Sequence, residues 1–439
     1  MTRVLFFFFL LFYLQQAQAQ PQPDSLPAGA TLEQCIQYAI THQPVIAQAQ
    51  LDEQITAYNI RSRLADWYPQ IGGNYSLQHN FQRTTSFFNG VATPVGVTNT
   101  SAAQLALSQT LFNRDVLLAN RTQRDVRLQT SQATVARKID VNVAVSKAFY
   151  DILTTQKQIQ VAAENIARLQ KSLSDAYYQY KAGVTDKTDY KRAQIALNNT
   201  IATEQGEKAA LTGKMEHLKT LMGYPVAAML SIIYDSLQLE QSVAFDTLQQ
   251  PDVARRIEYR QLQVQQRLQA ANVLYQRNAF LPNVSADAVY NLNYLNNSFG
   301  KLYTNNYPNS FVGLTAGIPI FQGGKRRANI RAAQLEAART DLDLVNLENE
   351  ISSQYATALS NYKGSFASYA ASKANVSLAQ EVYDVIQLQY RSGVKAYIEV
   401  ISAETDLHNA QINYFNALYQ VLVSKLDAAQ ALGLINYPL

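Results

Sequence analysis

The chain repeats itself at a nearly fixed interval, so whatever it folds into must be built twice from one plan. Ala57–Pro69 (AYNIRSRLADWYP) matches Ala270–Pro282 (AANVLYQRNAFLP) at an offset of 213 residues. Leu111-Phe112 matches Ile320-Phe321 at an offset of 209. Gln179–Val184 (QYKAGV) matches Gln389–Val394 (QYRSGV) at 210, and the match continues through Ala193/Ala403, Leu197/Leu407, Asn199/Asn409 and Gly223/Gly433. Three pairs in one order at one spacing define two halves, residues 20–223 and 253–433, joined by an irregular linker at 224–252 and followed by a short tail at 434–439.

Each half has the same internal order. A helical stretch comes first (32–67 and 253–281) and is closed by a proline, Pro69 or Pro282. Two strand-like segments follow, separated by a polar loop rich in Asn, Thr and Gly. A very long helix, a glycine turn and a shorter helix complete the half. Residues 113–182 contain no Gly and no Pro; between Gly324 and Ser392 the only interior glycine is Gly364, again with no Pro. At about 1.5 Å per residue each stretch reaches ~100 Å, far beyond an ordinary globular helix, and needs partners along its whole length. Apolar positions recur at three- and four-residue spacing (Val141, Val145, Ala148, Phe149, Ile152; Leu378, Val382, Val385, Ile386), among small or neutral residues. The pattern predicts coiled-coil-like packing.

The strand segments alternate with a period of two. Ile71, Tyr75, Leu77 and Phe81 oppose Asn74, Ser76, Gln78 and Asn80, and Leu105, Leu107 and Leu111 oppose Gln104, Ser108 and Thr110. Val284, Ala286, Ala288, Tyr290, Leu292 and Tyr294 oppose Ser285, Asp287, Asn291 and Asn293, while Val312, Leu314, Ala316, Ile318 and Ile320 share a face. This is the pattern of a tilted outer-membrane strand, and equally that of a soluble hairpin with one face buried.

The N-terminus supplies the compartment. Met1-Thr2-Arg3 is a short positive segment, Val4–Leu14 an apolar run, and Ala17-Gln18-Ala19 a small-x-small cleavage pattern. Residues 1–19 read as a secretory signal peptide cut before Gln20. The residue directly after that site is Gln20 and not a cysteine, which argues against a lipid-anchored N-terminus. The single cysteine, Cys35, precludes an internal disulfide and reads as a small buried hydrophobe. Losing Arg3 lowers the formal net charge from +4 to +3, nearly neutral for so long a chain, and argues against a nucleic-acid partner. No later stretch has the eighteen or so apolar residues of a transmembrane helix. A periplasmic, extracellular or outer-membrane β-barrel protein remains.

Motifs for chemistry are missing. Gly323-Gly324-Lys325-Arg326 lacks the upstream glycine of a phosphate-binding loop. There is no His-Glu-x-x-His and no Gly-x-Ser-x-Gly, and His42, His79, His217 and His408 lack metal-ligand spacing. The reading is therefore non-enzymatic, with no cofactor and no metal. Four strands from one chain cannot close a barrel, and an open edge cannot sit in lipid. Three copies would give twelve strands, within the outer-membrane range.

These features resemble the TolC-like outer membrane efflux family. The resemblance rests on Trp67-Tyr68-Pro69 and Phe280-Leu281-Pro282, on Ile318–Gly324 (IPIFQGG), on the turns at Gly183-Val184 and Gly393-Val394, and on Ala431-Leu432-Gly433. It implies a mostly α fold with a small β part: a homotrimer whose twelve-stranded outer-membrane barrel, four strands per protomer, continues into a periplasmic α-helical coiled-coil barrel. The linker and tail would lie in an equatorial belt. It further implies a passive conduit of a tripartite efflux or type I secretion system, opened by a periplasmic adaptor (a membrane fusion protein) and fed by an inner-membrane pump of RND, ABC or MFS type. An exported coiled-coil scaffold or adhesin is the alternative. Carried over by position, the resemblance assigns Glu399 and Ser402 to the aperture, Ser402 departing from a second acidic residue. It assigns Asp189, with Tyr390 and Lys395 as partners, to a lock between coils. The adaptor-docking tips fall on Tyr180, Gly183, Val184, Tyr390, Gly393 and Val394.

Overall fold

The computed structural model describes residues 26–27, 29–233 and 236–435, without the side chains of 236–238. The signal-peptide reading therefore lies outside the described residues. The chain divides into two compact units, one formed by Gln48–Ala136 with Val253–Ile351, the other by the segments up to Ala47, Arg137–Asp252 and Ser352 onward.

The first half runs α1 (Leu32–His42), α2 (Pro44–Ala65), β1 (Gln70–His79), β2 (Thr85–Phe88), β3 (Val91–Pro94), β4 (Asn99–Phe112), α3 (Arg114–Lys181) and α4 (Lys187–Met222). A short helix α5 (Ser236–Ser242) marks the linker, and the second half runs α6 (Ile257–Arg277), β5 (Asn283–Asn296), β6 (Asn309–Gly317), α7 (Lys325–Arg391) and α8 (Tyr397–Ala431). The long helix α3 begins and ends within one residue of the Gly- and Pro-free stretch 113–182, and α7 fills the stretch between Gly324 and Ser392 with Gly364 inside it. The first helical stretch is divided instead: Thr31 opens α1 with a capping box to Gln34, and Pro44, which has no N–H to continue a helix, starts α2.

Unit by unit, the sheet comes first. Its order is β1-β4-β5-β6, all antiparallel, with one half joined to the other at the central β4–β5 pair. The register places like beside like. Ile71, Leu107, Ala288 and Val312 form one apolar row; Asn74, Gln104, Asn291 and Asn309 form a polar row. Amide bonds rivet the polar row, Asn74 donating to Gln104 at 3.4 Å and Asn291 to Asn309 at 2.6 Å. The outer members of the apolar row are exposed, Ile71 being 69 % and Val312 84 % accessible in one chain, while Leu107 and Ala288 between them are half-buried. Two details depart from the sequence pattern. β6 ends at Gly317, because Pro319 cannot donate to a ladder, so Ile318 and Ile320 lie beyond it. The loop between β1 and β4 holds its own hairpin, β2–β3, turned by Asn89 and Gly90, both at positive φ as a tight two-residue turn demands. In the same unit α2, α3, α6 and α7 are laced by polar contacts, among them Arg267–Asp125 at 2.8 Å, Gln129–Gln265 at 3.0 Å and Gln266–Asp341 at 2.7 Å.

The second unit is helical. Cys35, Tyr38 and Ala39 of α1 pack on Val145, Phe149 and Ile152 of α3 and Leu218 and Met222 of α4. The Gln43 side chain donates to two carbonyls in the last turn of α4, Thr220 and Leu221, adding to the bond that the Thr220 carbonyl accepts from the Gly223 amide. Along α7, Tyr355, Tyr362, Tyr369, Tyr383 and Tyr390 fall on a seven-residue spacing that skips only Val376. The first two fasten the linker: Tyr355 donates to the Gln249 carbonyl and Tyr362 to the Val243 carbonyl. Glu240 of α5 is held by Lys373 at 2.6 Å and by the Tyr414 hydroxyl. These bonds explain why an irregular linker has a fixed path.

Candidate functional site

The two helix-to-helix turns are built alike. The amide of Gly183 bonds the Tyr180 carbonyl at 3.0 Å and that of Val184 bonds Gln179 at 2.9 Å; Gly393 and Val394 repeat the pattern on Tyr390 and Gln389, both at 2.9 Å. This is the paired closure of a helix C-terminus that needs a left-handed residue, here φ of 73° at Gly183 and 74° at Gly393. The next residue is apolar in both turns, yet Val184 and Val394 are each 72 % exposed. The first turn carries a tyrosine cluster, with Tyr180 and Tyr177 packed on Tyr190 at 5.2 Å and 5.7 Å between ring centres. Asp186 caps α4 by accepting from the Thr188 amide at 3.1 Å. The second turn has Ala396 in the capping place and no side-chain cap.

The lock residues stand in the same region but do not pair as expected within one chain. The Tyr390 hydroxyl donates to Gln179 at 2.6 Å, tying α7 to α3. Lys395 pairs with Glu399 one helical turn away at 2.9 Å. Neither bond goes to half-buried Asp189. Its charge is nonetheless felt by Tyr390, whose hydroxyl is pushed above its ordinary pKa by burial first and by Asp189 second. Ser402 is exposed, and Glu399 is half-buried because Lys395 covers one side of it.

Just past the turns, α3, α4, α7 and α8 share one core of Ala176, Ala193, Tyr383, Tyr397, Val400 and Leu407. Sequence reasoning missed a charged member of that seam. Glu404, seven residues after Tyr397 on the same α8 stripe, is 2 % exposed. Arg168 of α3 is its ion-pair partner at 3.6 Å. The readable signal was an acidic residue at an apolar position of a heptad. No group of three or more His, Cys, Asp or Glu able to hold a metal occurs among the described residues, and none of their helices is long and apolar enough to cross a membrane. A cavity of about 600 Å³ lies between α3, the linker and α8 and is also lined by Val376, where the tyrosine series skips a rung.

Comparison with known proteins gives one consistent result. The model of a family described as outer membrane efflux protein matches residues 35–224 and 253–434, one block per half. The chain is 23% identical to outer membrane protein TolC of Escherichia coli K12 over 94% of its own length and 84% of that protein. Among solved structures it resembles a membrane protein from Pseudomonas aeruginosa, with a TM-score of 0.76, 19% identity, and coverage of 91% of this chain and 92% of that one. It also resembles the outer membrane protein VceC of Vibrio cholerae, with a TM-score of 0.73, 14% identity, and coverage of 92% and 96%.

Proposed function

Because this chain belongs to the outer membrane efflux protein family, it is an outer-membrane efflux channel, and we propose that it works as a homotrimer opened by a periplasmic adaptor. TolC-like channels function with partners in tripartite systems. The reading gives this chain the passive part: a wall around a path, with energy supplied by an inner-membrane pump of RND, ABC or MFS type.

The observation that carries the reading is the sheet. The outer members of its apolar row are exposed in one chain, and its outer strands, β1 and β6, each keep one unpaired edge. A bilayer tolerates neither unpaired backbone nor an open edge, so copies must join edge to edge. An adhesin or scaffold with a soluble tip would bury one sheet face; here, among the described residues, Ile71 and Val312 at the two ends of the apolar row stay exposed. The long helices supply the periplasmic part, which in this reading conducts between coils held by narrow apolar seams. The exposed Val184 and Val394, with Tyr180, Tyr390 and the glycines between them, form two equivalent knobs suited to adaptor docking. Glu399 repeated around a threefold axis makes a carboxylate ring, each member partly offset by its own Lys395. Asp189, left over by the pairings of Tyr390 and Lys395, is free to bond across to a neighbouring copy as the lock.

The test is fractionation. The protein is expected in the outer membrane as a trimer that resists detergent and dissociates on heating. Recovery as a soluble monomer would sink the channel reading.

A further inference from the structure

Glu404 is a buried carboxylate for which the conduit reading has no use. Among the described residues neither of its oxygens accepts a hydrogen bond, and Arg168 Nε, at 3.6 Å, is in ion-pair range but too far to donate. Arg168 Nε and Nη2 lack hydrogen-bond acceptors too. The guanidinium sits 6.0 Å from the centre of the Tyr383 ring, so it is held between α7 and α8 without being satisfied by either. Such a half-made pair is costly to keep ionised, because the carboxylate has left water and the partly buried guanidinium compensates it only from a distance.

We propose that Arg168 and Glu404 position the gate helix α8 by a proton-dependent contact: protonated Glu404 holds α8 on α3 as described, and its ionisation loosens that seam. The proposal rests on the reading of α8 as the helix that carries the aperture. The duplication supports it, because the pair is confined to one half. At the 210-residue offset, Gln194 stands where Glu404 does and Leu378 where Arg168 does.

The surroundings agree in sign. Burial pushes the Glu404 carboxyl up to about 7, with Arg168 pulling it back. The other charged and titratable groups of this region are Asp175 on α3, Asp189 on α4, Tyr383, Asp384, Tyr390 and Arg391 on α7, and Tyr397, Glu399 (paired with Lys395) and His408 on α8. His408 is pushed below its ordinary value by burial and by Arg168, which disfavours the charged form that could offset Glu404. A carboxyl raised in the packed state binds its proton more tightly there than in water. Its stabilisation of the seam is complete below the usual carboxylate range and is lost as pH rises through about 7.

Amide hydrogen exchange on the purified full-length protein in detergent, corrected for the intrinsic effect of pH, reads the seam without requiring conduction. Protection over residues 397–411 is expected to fall between pH 6 and 8 with a midpoint near 7. Glu404→Gln should give a flat profile at the protected level. Arg168→Gln removes the charge that lowers the carboxyl pKa and should move the midpoint upward by about half a pH unit or more. Coincident profiles for the parent and Glu404→Gln, or a midpoint that Arg168→Gln leaves in place, overturn the contact. Planar-bilayer conductance over the same range is expected to rise with pH in the parent and to stay flat in Glu404→Gln. Exchange that follows pH beside conductance that does not would overturn the link to the gate.

Discussion

At the scale of single residues the aperture is a question of how much charge each side chain delivers. Glu399 supplies a carboxylate, but Lys395, four residues before it, lies 2.9 Å away, and a partly exposed i,i+4 pair of this kind is worth only about 0.3–0.5 kcal/mol. The lysine therefore tempers the ring without neutralising it. In planar-bilayer recordings Glu399→Ala is expected to weaken block by multivalent cations, whereas Lys395→Ala should strengthen it. Unchanged block in both variants would remove this pair from the constriction. Asp189→Ala in the same recordings is expected to raise resting conductance, and no change would remove Asp189 from the lock. The four-residue spacing of Lys395 and Glu399 stands in the sequence, although the resemblance gives Lys395 to Asp189 as its partner. The bond from Tyr390 to Gln179 was not legible there, because it joins positions more than two hundred residues apart whose meeting depends on the packing of α3 against α7.

At the scale of elements the glycines are the most readable marks, and they are not equivalent. Gly183, Gly223, Gly393 and Gly433 all lie at positive φ, and each passes the two closing amide bonds at the end of a long helix. A Cβ at Gly183 would meet nothing within 4 Å, whereas one at Gly223 would stand 2.7 Å from the His42 carbonyl oxygen. Gly183→Ala should thus cost only the backbone strain of about 1–2 kcal/mol. Gly223→Ala should cost more, because the junction of α1 with α4 must also shift. Urea unfolding of the detergent-solubilised protein compares the two, and equal costs would refute the steric argument. Long helices were legible because breakers frame them. Strand ends were less so, since alternation of Ile318 and Ile320 continues past the point where Pro319 stops the ladder. The β2–β3 hairpin lies inside what the sequence reads only as a polar loop, although Asn89-Gly90 suits a two-residue turn. The tyrosine series of α7 was visible as a spacing, but its role in fastening the linker depends on carbonyls of an irregular segment that carries no pattern of its own.

At the scale of the whole molecule the duplication sets the assembly. Each half gives two strands, and the β4–β5 pair welds them, leaving β1 from one half and β6 from the other as unlike edges. Contacts between unlike surfaces close into rings when the rotation permits. A cysteine placed in β1 and another scanned along β6 are expected to yield disulfide-linked species that stop at three chains. Species limited to single chains would refute edge-to-edge closure. The native thiol would not interfere, because Cys35 is fully buried and pushed up to about 12, mainly by burial with a contribution from Glu33.

The unlike edges also carry a genetic consequence. A copy with a ruined β6 edge still offers a sound β1 edge, so healthy copies recruit it and the ring then cannot finish. With three members and equal amounts of damaged and healthy chain, only about an eighth of rings would escape. Lesions confined to one outer strand should therefore behave as dominant in a cell that also carries an intact allele, whereas lesions that unfold the chain should remain recessive.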